Sequence, residues 1–288
     1  MKPSAFNYHS PKNLEDVFAI LNSSQNSRVL AGGQSLMPML NYRLLAVDDL
    51  IDLNGVCELR GIKINTDFIE IGSMTKQYEI AESPIIQENL PLMWSAIQYV
   101  GHVQTRNRGT IGGSLCQMDP SAELSLVCSA YQAELVVQNS SGERVISIDE
   151  FSLGYMTTCL NSNEILKSIR LRPWRKDSRC SFLEFSRRHG DFAVVSAACL
   201  VEQRENQIER ISIVLGGVGS QPLRLSDLEQ KLLGMKVSKN QISDFISNIS
   251  LPDMLTDKLY PAWYREHLSR TLLQRVLYDG LSINEMPS

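Results

Sequence analysis

The short apolar run Val29-Leu30-Ala31 breaks at two adjacent glycines, Gly32 and Gly33. The polar pair Gln34-Ser35 then leads into Leu36, Met37 and Pro38. The run predicts a buried strand, and Ser35 with the early Pro38 predicts a capped helix start. Strand, glycine turn and helix start are the parts of an anion cradle. Glycine permits φ > 0, which turns several N–H groups toward one point, and the helix start adds free N–H groups and the positive end of its dipole. A second stretch of the same form is Arg108-Gly109-Thr110-Ile111-Gly112-Gly113-Ser114. One Gly-Gly pair is more often a plain turn. Two of them, each opening into a new element, predict two nests that grip the halves of one phosphate-bearing dinucleotide. Gln34, Ser35, Thr110 and Ser114 add side-chain hydrogen bonds. Neither nest itself contains a basic residue, so backbone N–H groups carry the expected binding.

Other dinucleotide and phosphate signatures are missing. The one G-x-G, Gly217-Val218-Gly219, has Pro222 where a third glycine would stand, and no G-x-x-x-x-G-K-[ST] occurs. Gly216-Gly217 reads as a turn at a strand end. The six cysteines form no C-x-x-C pair, and the four histidines are far apart in sequence. No metal or iron–sulfur site is therefore expected in this chain, and the thiols read as free. The net charge of −4, with scattered Lys and Arg, gives no footprint for nucleic acid. The longest apolar stretch, Phe192 to Val201, is about half of the roughly 20 residues a membrane span needs. Met1 to Phe6 has no apolar signal core, so the expectation is a cytoplasmic chain without a membrane span. Its 288 residues suffice for a sizeable core and two domains.

Phe6 to His9 predicts a strand. Leu14, Val17, Phe18 and Leu21 then recur at helical spacing behind a cap at Asn13. The glycine stretch opens a helix to about Leu45, and Leu50 to Leu53 predicts another strand, completing a small α/β unit. Alternation over Leu59–Ile64 and Phe68–Gly72 predicts a hairpin, and Thr75 a capped helix through Glu82. Helices follow at Pro84, at Pro91 through Tyr99, and over Leu124–Ala133. A hairpin then turns at Asn139–Gly142, and a strand runs from Glu164 to Leu171. Beyond a polar joint at Trp174 to Arg179, three strands over Ser181–Arg187, Ala193–Glu202 and Arg210–Leu215 predict an antiparallel meander. Helices follow over Leu223–Leu233, Ser238–Ile249 and Tyr260–Leu281.

No nucleophile–base pair stands out, and no catalytic residue is assigned. Asp119 and Glu123, four apart, share a helix face if both are helical; the preferred role for Asp119 is a cap before Pro120. Glu123 either accepts hydrogen bonds from a ribose or adenine, or faces water. His189-Gly190-Asp191-Phe192 after Arg187-Arg188 reads as a solvated loop; the alternative sets it beside a cofactor ring or a partner.

Ala31 to Leu36, Arg106 to Ser114, Asp119 to Glu123, Ser186 to Ala193 and Leu215 to Val218 together resemble the FAD-binding medium subunit of the molybdenum hydroxylases. These are the relatives of xanthine dehydrogenase and carbon monoxide dehydrogenase, bacterial N-heterocycle dehydrogenases included. The resemblance implies an α+β chain. A two-lobed FAD-binding domain of the vanillyl-alcohol-oxidase/PCMH type would occupy 1–176, with lobes of about 1–55 and 56–176. A C-terminal domain of antiparallel sheet and helices would occupy 177–288. It implies that Val29, Leu30, Ala31, Gly32, Gly33, Gln34, Ser35 and Leu36 line the FAD pyrophosphate, as do Thr110, Ile111, Gly112, Gly113 and Ser114. Glu123 would meet the ribityl or ribose side, and Leu166 would lie near the flavin ring. Ser114 and Glu123 stand where relatives commonly have Asn and Asp.

The implied function is electron transfer through FAD. Electrons would come from two [2Fe–2S] clusters in a small partner subunit, themselves fed by molybdopterin in a large one, and would leave to a final acceptor. The implied assembly is a dimer of heterotrimers. A stand-alone FAD oxidoreductase with its own substrate site is the second reading, and a scaffold subunit without cofactor the third. Valine at Gly33 or Gly113 is expected to abolish FAD binding, because β-branched residues disfavour φ > 0 and fill the phosphate space.

Overall fold

The computed structural model describes residues 2–283. Three larger sheets carry the described residues, with a small two-stranded one formed by Ser152–Gly154 and Thr157–Thr158. The first holds the parallel strands Asn7–His9, Asp49–Asp52 and Ser27–Leu30, with Asp49–Asp52 in the middle. The helix Leu14–Ser23 starts at Asn13, whose side chain accepts from the N–H of Asp16. It buries Leu14, Val17, Phe18 and Leu21 against Ile51, Leu53 and Val56. Burying each of those four side chains is worth about 1.5–3 kcal/mol, which fixes this helix over the sheet.

The second sheet has five antiparallel strands in the order Ile62–Ile64, Ile69–Gly72, Ile165–Leu171, Glu134–Asn139, Gly142–Ser147. Its central strand, Ile165–Leu171, is bulged between Leu166 and Ser168. The helices Pro91–Ile97, Ile111–Gln117 and Glu123–Tyr131 share its core.

The third sheet is antiparallel, in the order Arg179–Phe185, Val195–Arg204, Gln207–Gly216, Leu223–Arg224. Strand alternation splits its side chains between two cores. Val195, Ala197, Cys199 and Val201 pack on the helix Ala262–Gly280, whereas Ala198, Leu200, Val214 and Phe182 join the core of the second sheet. Covered on both faces, Val195–Val201 is buried throughout and apolar except for Ser196. The result is a mixed helix-and-sheet molecule. No helix among the described residues is long and apolar enough to cross a membrane.

Several expected boundaries move. The helix after the first glycine turn is Leu36–Asn41 and stops well short of Leu45, where Arg43 takes φ +55°. The helix before Ala133 is Glu123–Tyr131, with Ala122 as its N-cap residue. Asp119 therefore lies outside it, caps only the local turn through the N–H of Ser121 at 2.9 Å, and shares no helix face with Glu123. Thr75 caps no helix. Its hydroxyl bonds the backbone of Gly61, and the helix begins at Gln77.

Candidate functional site

The two glycine stretches meet. A Cβ on Gly32 would collide with the carbonyl oxygen of Arg108 and stand 2.7 Å from Cα of Gly109. A Cβ on Gly113 would lie 3.3 Å from that of Ala31. Gly32 thus serves close backbone approach, while Gly33, at φ +73°, serves the turn itself.

The first stretch has the open donors of a nest. The N–H groups of Gly32, Gly33, Gln34 and Ser35 donate to no other group among the described residues. Ser35 does not cap by side chain; its own backbone is already helical, and the turn closes through Met37 N–H to the Gly33 carbonyl at 3.2 Å.

The second stretch differs from the expected turn. Gly112 and Gly113 lie inside the first turn of the helix Ile111–Gln117, and neither has a positive φ. Thr110 caps that helix, its Oγ1 accepting from the N–H of Gly113 at 3.0 Å. The N–H groups of Ile111, Gly112 and Ser114 bond the carbonyls of Thr75, Ser73 and Thr110. Helix and neighbouring chain therefore satisfy these donors, and the second stretch forms a wall rather than a nest. The φ argument for valine at Gly113 does not hold; steric contact with Thr110 and Ala31 takes its place. Beside this wall, Ser73 Oγ and Gln77 Oε1 are buried without a partner.

A basic group that the spacing did not reveal sits between the two stretches. Residues Ser73–Gln77 run along Gly109–Gly112, with Lys76 opposite Thr110. Lys76 Nζ donates to Asn54 Oδ1 at 2.9 Å and to the Arg108 carbonyl at 3.1 Å. Asn54 Nδ2 in turn donates to the Ala31 carbonyl at 2.9 Å. Burial, then the charges of Arg60 and Arg108, hold the ammonium below the ordinary lysine range, against Glu79 and Asp52. Nothing in the pattern around Lys76 marks it; the pairing that brings it here is non-local.

Glu123 opens its helix and is 5% exposed. Burial first, and the nearby Asp119 next, push its carboxyl up to about 7. Across from it, Glu184 of the third sheet is pushed up to about 8, by burial and then by Glu123 itself. One Glu184 oxygen, Oε2, is buried without a partner, as is Oγ of Ser196 on the adjacent strand. Gly217 N–H bonds the Pro120 carbonyl at 2.8 Å, so the turn Gly216-Gly217 seals this seam rather than merely ending a strand. No local motif in the sequence marks Glu184.

Leu166 is 3% exposed and packs in the second-sheet core. The loop after Phe185 is anchored, not merely solvated: Gly190 packs on the His102 ring, and the rings of Tyr99 and His189 meet edge-on at 6.5 Å. Arg187 and Asp191 pair at 3.5 Å, and Phe192 is exposed. No group of metal-holding side chains occurs among the described residues.

Comparison with known proteins gives two family matches. The FAD binding domain in molybdopterin dehydrogenase matches residues 4–174, and the CO dehydrogenase flavoprotein C-terminal domain matches 181–279. The caffeine dehydrogenase subunit beta of a Pseudomonas species is 35% identical, over 96% of this chain and 95% of that protein. The glyceraldehyde dehydrogenase medium chain of Sulfolobus acidocaldarius is 32% identical, over 97% and 99%. A solved carbon monoxide dehydrogenase chain from Hydrogenophaga pseudoflava superposes with a TM-score of 0.92 at 30% identity, over 99% of this chain and 100% of that one.

Proposed function

The chain belongs to the family of FAD-binding subunits of molybdopterin dehydrogenases, and from that membership we propose that it passes electrons through FAD between partner subunits and a final acceptor. As a family member it is a flavoprotein subunit of an oxidoreductase. The finer reading is that a small [2Fe–2S] subunit delivers the electrons, that a large molybdopterin subunit oxidises the organic substrate, and that two such heterotrimers pair in the cytoplasm. Residues 1–176 form the FAD-binding domain, of the vanillyl-alcohol-oxidase/PCMH type, and 177–288 the C-terminal domain. FAD supplies the redox chemistry, and the protein binds, orients and shields it.

One observation carries the assignment: Gly32 meets the second glycine stretch at backbone contact distance, and the N–H groups of Gly32 to Ser35 beside that contact have no partner among the described residues. That is a cradle of diphosphate-binding type, open on one side and sterically closed on the other. Val29, Leu30, Ala31 and Leu36 shape the first wall, and Thr110, Ile111, Gly112, Gly113 and Ser114 the second. Glu123 borders the seam with the C-terminal sheet and offers the ribityl side a carboxyl that keeps its proton to about neutral pH. Leu166 adds apolar surface behind the ring.

The test is direct. The full-length chain should purify yellow or turn yellow on FAD addition, and colourless protein after FAD addition overturns the assignment. Purified from its source, it should arrive with iron–sulfur and molybdenum subunits. A lone chain active on an organic substrate overturns the subunit reading.

A further inference from the structure

We propose that Lys76, held in place by Asn54, is the fixed cation of the diphosphate site and ties its two glycine stretches together. The inference rests on the FAD assignment and deepens it.

Three observations converge. First, Asn54 and Lys76 form one continuous hydrogen-bonded bridge. It runs from the Ala31 carbonyl through Asn54 Nδ2 and Oδ1 to Lys76 Nζ, and on to the Arg108 carbonyl. Its ends are the two walls of the cradle. The Arg108 carbonyl that receives the ammonium is the same one that fills the space above Gly32. The ammonium is thereby anchored at the carbonyl where Gly32 meets the second stretch.

Second, the ammonium is incompletely used. It has three donors, and two go to Asn54 and Arg108, leaving one with no protein partner among the described residues. Asn54 is itself pinned, its backbone N–H and side chain both bonding Asp52 Oδ1 at 2.9 and 2.6 Å. A flexible lysine is thus turned into a preorganised one, and little entropy is lost when an anion arrives.

Third, the local charge leans positive. Arg60 and Arg108 repel the Lys76 ammonium, while Glu79 and Asp52 attract it. Asp52 is engaged by Asn54 and by the Tyr8 hydroxyl at 2.5 Å, and Glu79 by the N–H of Lys76 at 2.7 Å. With both acids so occupied, the ammonium and the two neighbouring guanidinium groups favour an anion at the junction of the walls. A diphosphate is such an anion, and the free first-stretch N–H groups supply its remaining hydrogen bonds.

The experiment uses the full-length chain stripped of flavin and titrated with FAD by fluorescence at two ionic strengths. The variants are K76M, which keeps the stem and removes the charge, K76R, which keeps the charge, and N54L, which frees the ammonium from its tether. K76M should raise the FAD Kd at least tenfold and flatten its dependence on salt; a purely structural role would leave the salt dependence unchanged. K76R should recover part of the affinity and all of the salt dependence. N54L should weaken FAD while keeping the salt dependence, and it decides the matter if K76M does not fold. FAD uptake by wild type with K76M or N54L within twofold of it overturns the proposal alone. Wild type that takes up no FAD overturns the cofactor assignment and the proposal with it.

Discussion

The carbonyl oxygen of Arg108 occupies the place where a side chain on residue 32 would begin, so Gly32 and Arg108 fix the distance between the two walls of the cradle. Gly32→Ala puts a methyl into backbone that cannot yield by a rotamer change, and overpacking of this kind costs about 1–3 kcal/mol. A lower Tm and at least a tenfold weaker FAD affinity are expected. Gly33→Ala meets only the Leu30 and Met37 side chains, the nearer at 3.1 Å, and carries the strain of φ +73°, about 1–2 kcal/mol. Thermal melts and flavin titrations of the pair should rank Gly32→Ala as the more damaging to binding; the reverse order would remove the spacing argument.

Glu123 and Glu184 should make stability depend on pH in an unusual direction. Their folded values, about 7 and about 8, lie above the ordinary 4.5, so the folded state binds more protons than the unfolded one. Their contribution is fully present below about pH 4.5 and is lost as pH rises through 7 to 8. Melts of the flavin-free chain should show Tm falling over that window. Glu184→Gln should flatten the fall, and an unchanged slope in that variant would exclude the pair as its source.

Leu166 is a core residue. Leu166→Ala removes a side chain that is 3% exposed, and truncations of this kind cost about 2–5 kcal/mol. Denaturant unfolding should show a loss of that order without FAD present. A flavin-dependent loss alone would mean the side chain faces the cofactor and not the core.

Gly190 and His102 test whether the Arg188–Phe192 loop is truly anchored. Gly190 has φ +86°, and a Cβ there would strike the His102 ring. Gly190→Ala should destabilise the chain, and His102→Ala in the same molecule should return the part due to the collision, leaving about 1–2 kcal/mol of backbone strain. Strict additivity in the double mutant would show that the two loops do not touch.

What the sequence made legible was local. Asn13 before Leu14, Val17, Phe18 and Leu21 announces a capped, one-faced helix, and it folds so. Gly33 announces a turn that needs positive φ. The errors fall where a distant segment overrides a local preference. Thr75 is a good cap in isolation, yet its hydroxyl is taken by Gly61, and Ser73–Gln77 instead bonds along Gly109–Gly112, with Lys76 bridged to Thr110. That pairing consumes the donors expected of the second nest and brings Lys76 to the site. Glu184 escaped notice for the same reason, since only the packing of the third sheet on the Glu123 helix gives its charge meaning.

The third sheet has a consequence for any attempt to divide the protein. Phe182, Ala198, Leu200 and Val214 belong to the N-terminal core although they lie beyond residue 176. A fragment ending at the joint would leave Ile97, Leu126 and their neighbours facing water, and the complementary fragment would carry a bare apolar sheet face. The two halves are therefore obligate folding companions. They should melt in a single transition and precipitate when expressed apart, and mixing should restore a soluble pair.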